Sequence, residues 1–88
     1  MYKTYILYSA SCDRFYIGYT GDDLLERIRR HNSHHKGFTG AAVDWALRYY
    51  EVFPDKASAM RREREIKLWK SRVKIIQLIN SAGLEHSD

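Results

Sequence analysis

Two tyrosine-rich runs at the start of the chain constrain its fold more than any other feature. Tyr2 to Ser9 and Phe15 to Thr20 are dense in aromatic and β-branched residues, which suit a pleated, half-buried surface. The polar stretch Ala10 to Arg14 separates them by about five residues, a length suited to an antiparallel hairpin. The register is left open. If Tyr8 lies opposite Phe15, then Tyr5, Leu7, Tyr16 and Gly18 share a face; a slip of one residue separates Tyr5 from Tyr16. Gly18, in mid-strand, would leave room for a ligand to approach the backbone.

After the hairpin, Thr20-Gly21-Asp22-Asp23 marks a helix start, with Asp22 as N-cap and the acidic pair at the positive end of the helix dipole. Leu24, Leu25 and Ile28 give this helix its apolar face, and Arg27, Arg29, Arg30 and His31 lie toward its negative end. Asn32 to Ala42 reads as loop, with Gly37 and Gly40 as breakers. Trp45, Leu47, Tyr49, Glu51 and Phe53 alternate with Ala46, Arg48, Tyr50 and Val52, which predicts a third strand from about Asp44 to Phe53. Pro54-Asp55 ends it and caps a second helix running to about Trp69. Ser71 caps a third helix, with Val73, Ile76 and Ile79 as its apolar stripe, Ile75 and Leu78 beside them, and Gly83 as its stop. The order β-β-α-β-α-α predicts an α+β domain of two layers, with a three-stranded antiparallel sheet and three helices. It would span residues 1–83, with a frayed tail at 84–88.

A chain of 88 residues has material for one domain with a modest core. No apolar run approaches the roughly 18 residues that a membrane span needs. The N-terminus lacks a signal-peptide layout, so the expectation is a cytoplasmic protein with no membrane partner. Cys12 is the only cysteine, which excludes an internal disulfide and a cysteine-rich zinc site. The net charge is +4, from 15 Lys+Arg against 11 Asp+Glu, and its distribution is uneven. Arg27, Arg29, Arg30 and Lys36 form one basic cluster; Arg61, Arg62, Arg64, Lys67, Lys70, Arg72 and Lys74 form another. That suits a nucleic-acid partner, although two solvated helix faces give the same pattern.

Glu63 is the most informative oddity. Ala59, Glu63 and Ile66 fall at i, i+4 and i+7, so a carboxylate shares a row with residues that should point inward. It must be paired or hold a metal, and Lys67 at i+4 is the simple pairing partner. Arg27 and His31 are also i, i+4 neighbours, on the edge of an apolar stripe. Arg27 could clamp a phosphate there, or lay its stem over the core. The seven tyrosines read as sheet packing, or as hydroxyls converging on a reaction centre.

The order of these segments is more specific than any one of them. Tyr5-Ile6-Leu7-Tyr8, a turn, Tyr16-Ile17-Gly18-Tyr19-Thr20, an acidic helix start, Arg27 through His31-Asn32, then Ala59 through Lys67 together resemble the GIY-YIG nuclease family. The resemblance covers about residues 2 to 80 and looks closest to the small single-domain branch, near the excinuclease C-like and structure-specific nuclease catalytic domains. It implies that Tyr16 is the general base or orients the attacking water, and that Tyr5 is the second tyrosine at the phosphate. Arg27 would stabilise the charged transition state, with His31 assisting. Glu63 would be the single protein ligand of a divalent metal, magnesium or manganese. Gly18, Thr20, Arg30, Lys36 and Lys67 are the candidates for holding substrate. The first half of the name-giving motif reads Lys3-Thr4-Tyr5 here and keeps only its tyrosine. The family often carries an asparagine after the metal-binding helix, and Asn80 is the candidate nearby.

The implied chemistry is coherent. A free tyrosine has a pKa of about 10, and a nearby arginine and metal would favour its phenolate. Magnesium prefers oxygen ligands and keeps most of its waters, so one carboxylate and a phosphate oxygen suffice. The expected function is therefore a metal-dependent DNA endonuclease that grips DNA mainly through its phosphates. A flap, branch or nick, as in repair or recombination, would supply the selectivity that base readout does not. A non-catalytic nucleic-acid-binding module of the same fold is the alternative. So is an interaction domain that works with a targeting protein or a second copy of itself. Tyr16, Arg27 and Glu63 occurring together favours the enzyme.

Overall fold

The computed structural model describes residues 1–33 and 37–85. Strands β1 (Tyr2–Ser9) and β2 (Arg14–Thr20) form the hairpin, and β3 (Trp45–Phe53) pairs with the other edge of β1. The sheet is antiparallel throughout, in the order β2-β1-β3. Tyr8 does pair with Phe15, so Tyr5, Leu7, Tyr16 and Gly18 fall on one face. Asp13 closes the hairpin turn in the left-handed region (φ 52°), which aspartate tolerates. Asp44, just before β3, ties down the same turn: it accepts from the Ser9 hydroxyl at 2.6 Å and the Ser11 N–H at 2.8 Å.

The helices are α1 (Leu24–His31), α2 (Lys56–Trp69) and α3 (Arg72–Glu85). The α+β class and the element order are as expected, but the layering is not. Helix α1 covers one face of the sheet, where Leu24 and Ile28 pack with Tyr5, Leu7 and Trp45. Helices α2 and α3 cover the other, where Ile66 meets Ile6 and Ile17 beneath Trp69, Ile75, Leu78 and Ile79. The arrangement is three layers deep because β1 is central and apolar on both faces. Thr4, Tyr5, Ile6 and Leu7 are buried in succession, and a sheet covered on one side would leave half of them in water.

Helix details depart from expectation in four places. Asp23, not Asp22, caps α1, accepting from the Glu26 N–H at 3.3 Å. Leu25 is 74% exposed, and the inward row of α1 is Leu24, Ile28 and His31, at i, i+4 and i+7. On α3 the inward residues are Ile75, Leu78 and Ile79, whereas Val73 and Ile76 are exposed. Gly83 does not stop α3, which continues to Glu85. A short 3-10 turn, Phe38–Ala41, lies within the expected loop. The caps at Asp55 and Ser71 form as expected, accepting from the N–H groups of Ser58 at 2.7 Å and Lys74 at 3.2 Å. Among the described residues no helix is long and apolar enough to cross a membrane.

Candidate active site

Three elements converge where β2 forms an edge of the sheet. Tyr16 on β2, Arg27 on α1 and Glu63 on α2 line one open cleft of about 460 Å³. Tyr2, Tyr19, Thr20, Gly21, Asp22 and Lys56 complete its wall. Tyr16 and Arg27 also border an adjoining cleft of about 390 Å³, together with Arg30, His31, Ser33, Gly37 and Thr39. These two side chains thus stand where the clefts meet. Helix α2 packs on the opposite face from α1, yet Glu63 reaches the same cleft because, among the described residues, no further strand lies beyond β2. The helix is anchored one turn earlier, where the buried Thr4 hydroxyl donates to the Ala59 carbonyl at 2.7 Å.

Tyr5 lies beneath this surface rather than on it. It is fully buried. Its hydroxyl is 2.8 Å from His31 Nε2, and Arg27 Nε donates to it over a long 3.5 Å. His31 Nδ1 is in turn 2.8 Å from Thr39 Oγ1. Burial is the main cause pushing the Tyr5 phenol above its ordinary pKa, outweighing the hydrogen bond from Arg27. These two contacts hold the His31 ring between the Tyr5 and Thr39 hydroxyls and fix its orientation. The hydrogen bond to Tyr5 raises the Arg27 pKa further, against partial burial, so this guanidinium stays charged. The His31 ring also lies 4.8 Å from the Tyr16 ring, centre to centre.

Glu63 keeps 19% of its side-chain surface exposed and sits 3.6 Å from Lys67 Nζ. The simple pairing therefore exists, but the carboxylate still lines the cleft. A shielded oxygen ligand with an open side fits a hard divalent cation, which retains water. Among the described residues no three His, Cys, Asp or Glu side chains gather to hold a metal. Glu63, water and substrate would have to supply the ligands. The Lys67 ammonium is also 6.0 Å from the centre of the Tyr16 ring, so it joins the carboxylate to the phenol.

The other candidates fall in different places. Arg30 lines the second cleft, with Asp22 3.8 Å away. Thr20 is buried, and its hydroxyl accepts from the Asp22 N–H at 3.0 Å, so it shapes the entry to α1 while bordering the first cleft. The space over Gly18 is not open to a ligand: a Cβ there would lie 2.7 Å from the Tyr5 hydroxyl oxygen. Asn80 is exposed on α3. Lys36 lies outside the described residues, as do His34 and His35. Sequence reasoning gave no structural role to Thr39 or Asn32. The Asn32 amide donates to the Trp45 carbonyl at 3.0 Å and accepts from the Trp45 N–H at 2.6 Å, which fastens the end of α1 to β3. Its position next to His31 was the available signal.

Tyr16, Arg27 and Glu63 thus stand on one cleft of an α+β domain. The family model for the GIY-YIG catalytic domain matches residues 1–77, and the chain belongs to that family. Its members are generally endonucleases that depend on a divalent metal. No curated protein and no solved structure matches the chain.

Proposed function

We propose that this chain is a metal-dependent DNA endonuclease that hydrolyses phosphodiester bonds in the cytoplasm, on the branched, nicked or flapped DNA of repair and recombination. The observation that carries this reading is that Tyr16, Arg27 and Glu63, from three separate elements, border one cleft.

Each residue then has a task. Tyr16, where the two clefts meet, orients the attacking water or, in its phenolate form, takes the water's proton. Arg27, held charged, supplies a fixed cation where charge develops on the phosphorus oxygens. Tyr5 keeps its own proton and positions Arg27 and His31 from below. Glu63 would hold magnesium or manganese. When bound, such an ion stabilises the leaving oxygen and supplies water to protonate it. Lys67, beside both Glu63 and Tyr16, restrains the carboxylate and adds positive charge for the DNA backbone.

The Glu63–Lys67 ion pair favours one second reading, a catalytically silent module in which Glu63 is only a structural partner. Labelled single-stranded, duplex, nicked, flap and branched DNA, incubated with magnesium, manganese or EDTA, separates the two. Metal-dependent cutting that Glu63→Ala and Tyr16→Phe both abolish supports the endonuclease. Salt-sensitive binding without cutting in any condition supports the silent module.

A further inference from the structure

The path open to a substrate does not end at Tyr16. Beyond this ring an opening of about 390 Å³ has Ile17, Ile66 and Ile75 in its walls, together with Lys67 and Lys70. Phe15 also borders it, and the same residue borders a third opening of about 280 Å³ that includes Tyr8, Arg48 and Arg72. The openings share walls in sequence, first Tyr16 and then Phe15. Through these shared residues they follow one another from the catalytic cleft toward the start of β2 at the hairpin turn. Among the described residues, four cations and three aromatic rings line these two openings, and no acidic side chain does.

Local backbone features set two of the cations on this path. Arg48 is the extra residue of β3: Leu7 pairs with Leu47 and Ile6 with Tyr49, leaving position 48 in a bulge. Bulges re-aim side chains, and this guanidinium lies 5.5 Å from the centre of the Tyr8 ring. Lys70 ends α2 in the left-handed region (φ 48°), where glycine is the least strained residue. Neither Lys70 nor Arg48 has a carboxylate partner among the described residues. Arg72, which is paired with Asp13, lies 5.2 Å from the centre of the Phe15 ring.

A single nucleic-acid strand needs cations that track its phosphates, and rings or apolar surface for its unstacked bases. A duplex offers the same surface mainly phosphate and sugar, with its bases stacked inside. We propose that these openings form one groove, which holds an unpaired stretch of the substrate strand, running from Tyr16 toward the hairpin turn. The preferred substrate then carries single-stranded DNA beside the cut. This rests on the nuclease reading above and names its substrate class.

The test is fluorescence anisotropy with labelled oligothymidine and with a duplex of equal length, across a salt series. Glu63→Ala protein serves as the parent, so that nothing is cut. Lys70→Gly and Arg48→Ala are each added to it. Glycine suits the left-handed position and Arg48 is exposed, so both variants keep the fold. Single-strand affinity is expected to fall severalfold in each variant, with a salt slope shallower by about 0.7 for each phosphate no longer neutralised. Duplex affinity should change less than about twofold, because its phosphates find other cations on the domain. Equal losses for both probes overturn the groove as a single-strand site. So does unchanged single-strand affinity in both variants while Arg27→Ala weakens it, and either result leaves the nuclease reading standing. A parent protein that binds neither probe overturns both proposals.

Discussion

Tyr5 and Gly18 face each other across β1 and β2, and the Tyr5 phenol occupies the space a side chain at position 18 would need. A Cβ there would lie 2.7 Å from the Tyr5 oxygen and 2.9 Å from Tyr16 Cε2. Position 18 is glycine because two tyrosines crowd it, not because a ligand approaches it. Gly18→Ala is expected to cost about 1–3 kcal/mol, the range for overpacking a filled site. It should also lower cleavage, since both rings must shift. Urea denaturation and a cleavage assay measure the two effects, and parental values in both would contradict the crowding argument.

Removing only the Tyr5 hydroxyl tests the buried relay. In Tyr5→Phe the ring still fills its site, but the hydrogen bonds to Arg27 Nε and His31 Nε2 are lost. The expected cost is about 1–3 kcal/mol for buried groups left unpaired. Because Tyr5 acts through Arg27 and His31, kcat should fall more than KM rises. The ¹⁵N shifts of the His31 ring should also report a changed tautomer balance. An unchanged imidazole spectrum would show that Tyr5 does not position His31.

Asn32→Ala should destabilise the chain more than truncating an exposed arginine of α1. Asn32 satisfies both backbone groups of Trp45, and both bonds are partly shielded from water. Leaving them unmade is expected to cost about 1–3 kcal/mol. Arg29→Ala breaks only an exposed pair with Glu26, of the kind worth roughly 0.2–1 kcal/mol. Chemical denaturation of the two variants gives the comparison, and equal midpoints would contradict it.

The stability of the fold should decline at high pH through Tyr49. Burial, followed by the hydrogen bond and charge of Glu51, pushes this phenol from its ordinary 10.0 up to about 12. The folded chain therefore keeps a proton that the unfolded chain has already released. Its stabilising contribution is complete below pH 10.0 and is lost as the pH rises from there to about 12. Tyr49→Phe lacks that component, so its denaturation midpoint should fall less steeply across the same window. Parallel curves for the two proteins would rule Tyr49 out as the source.

Some local signals in the sequence held and others, such as Asp22 as a cap and Gly83 as a stop, did not. Asp55 and Ser71 cap their helices, Phe53 ends β3, and the row Ala59, Glu63, Ile66 faces inward as its spacing requires. What depended on tertiary structure was less legible. Leu25 and Val73 are apolar yet exposed, because the row a short helix buries is set by the surface it lands on. The third layer followed from β1 being the central strand, and strand order is not written in any single segment. The roles of Thr39 and Asn32 depend on hydrogen bonds made after the chain doubles back, so no motif announced them. Tyr5 stands out in the sequence as one of the hairpin tyrosines, but its depth beneath Arg27 and His31 depends on the hairpin register.

The most direct test of the central claim is the single-turnover cleavage rate of Glu63→Gln beside the parent, with magnesium and a labelled branched DNA. Glutamine keeps the size and one polar oxygen of Glu63, and the Lys67 ammonium that loses its partner is half exposed, so the variant should remain folded and bind DNA. The account predicts a rate lower by roughly a hundredfold or more, the scale expected when a positioned group at the reacting phosphate is lost. A variant that binds and cuts at the parental rate would contradict it, and Glu63 would then be no more than the partner of Lys67.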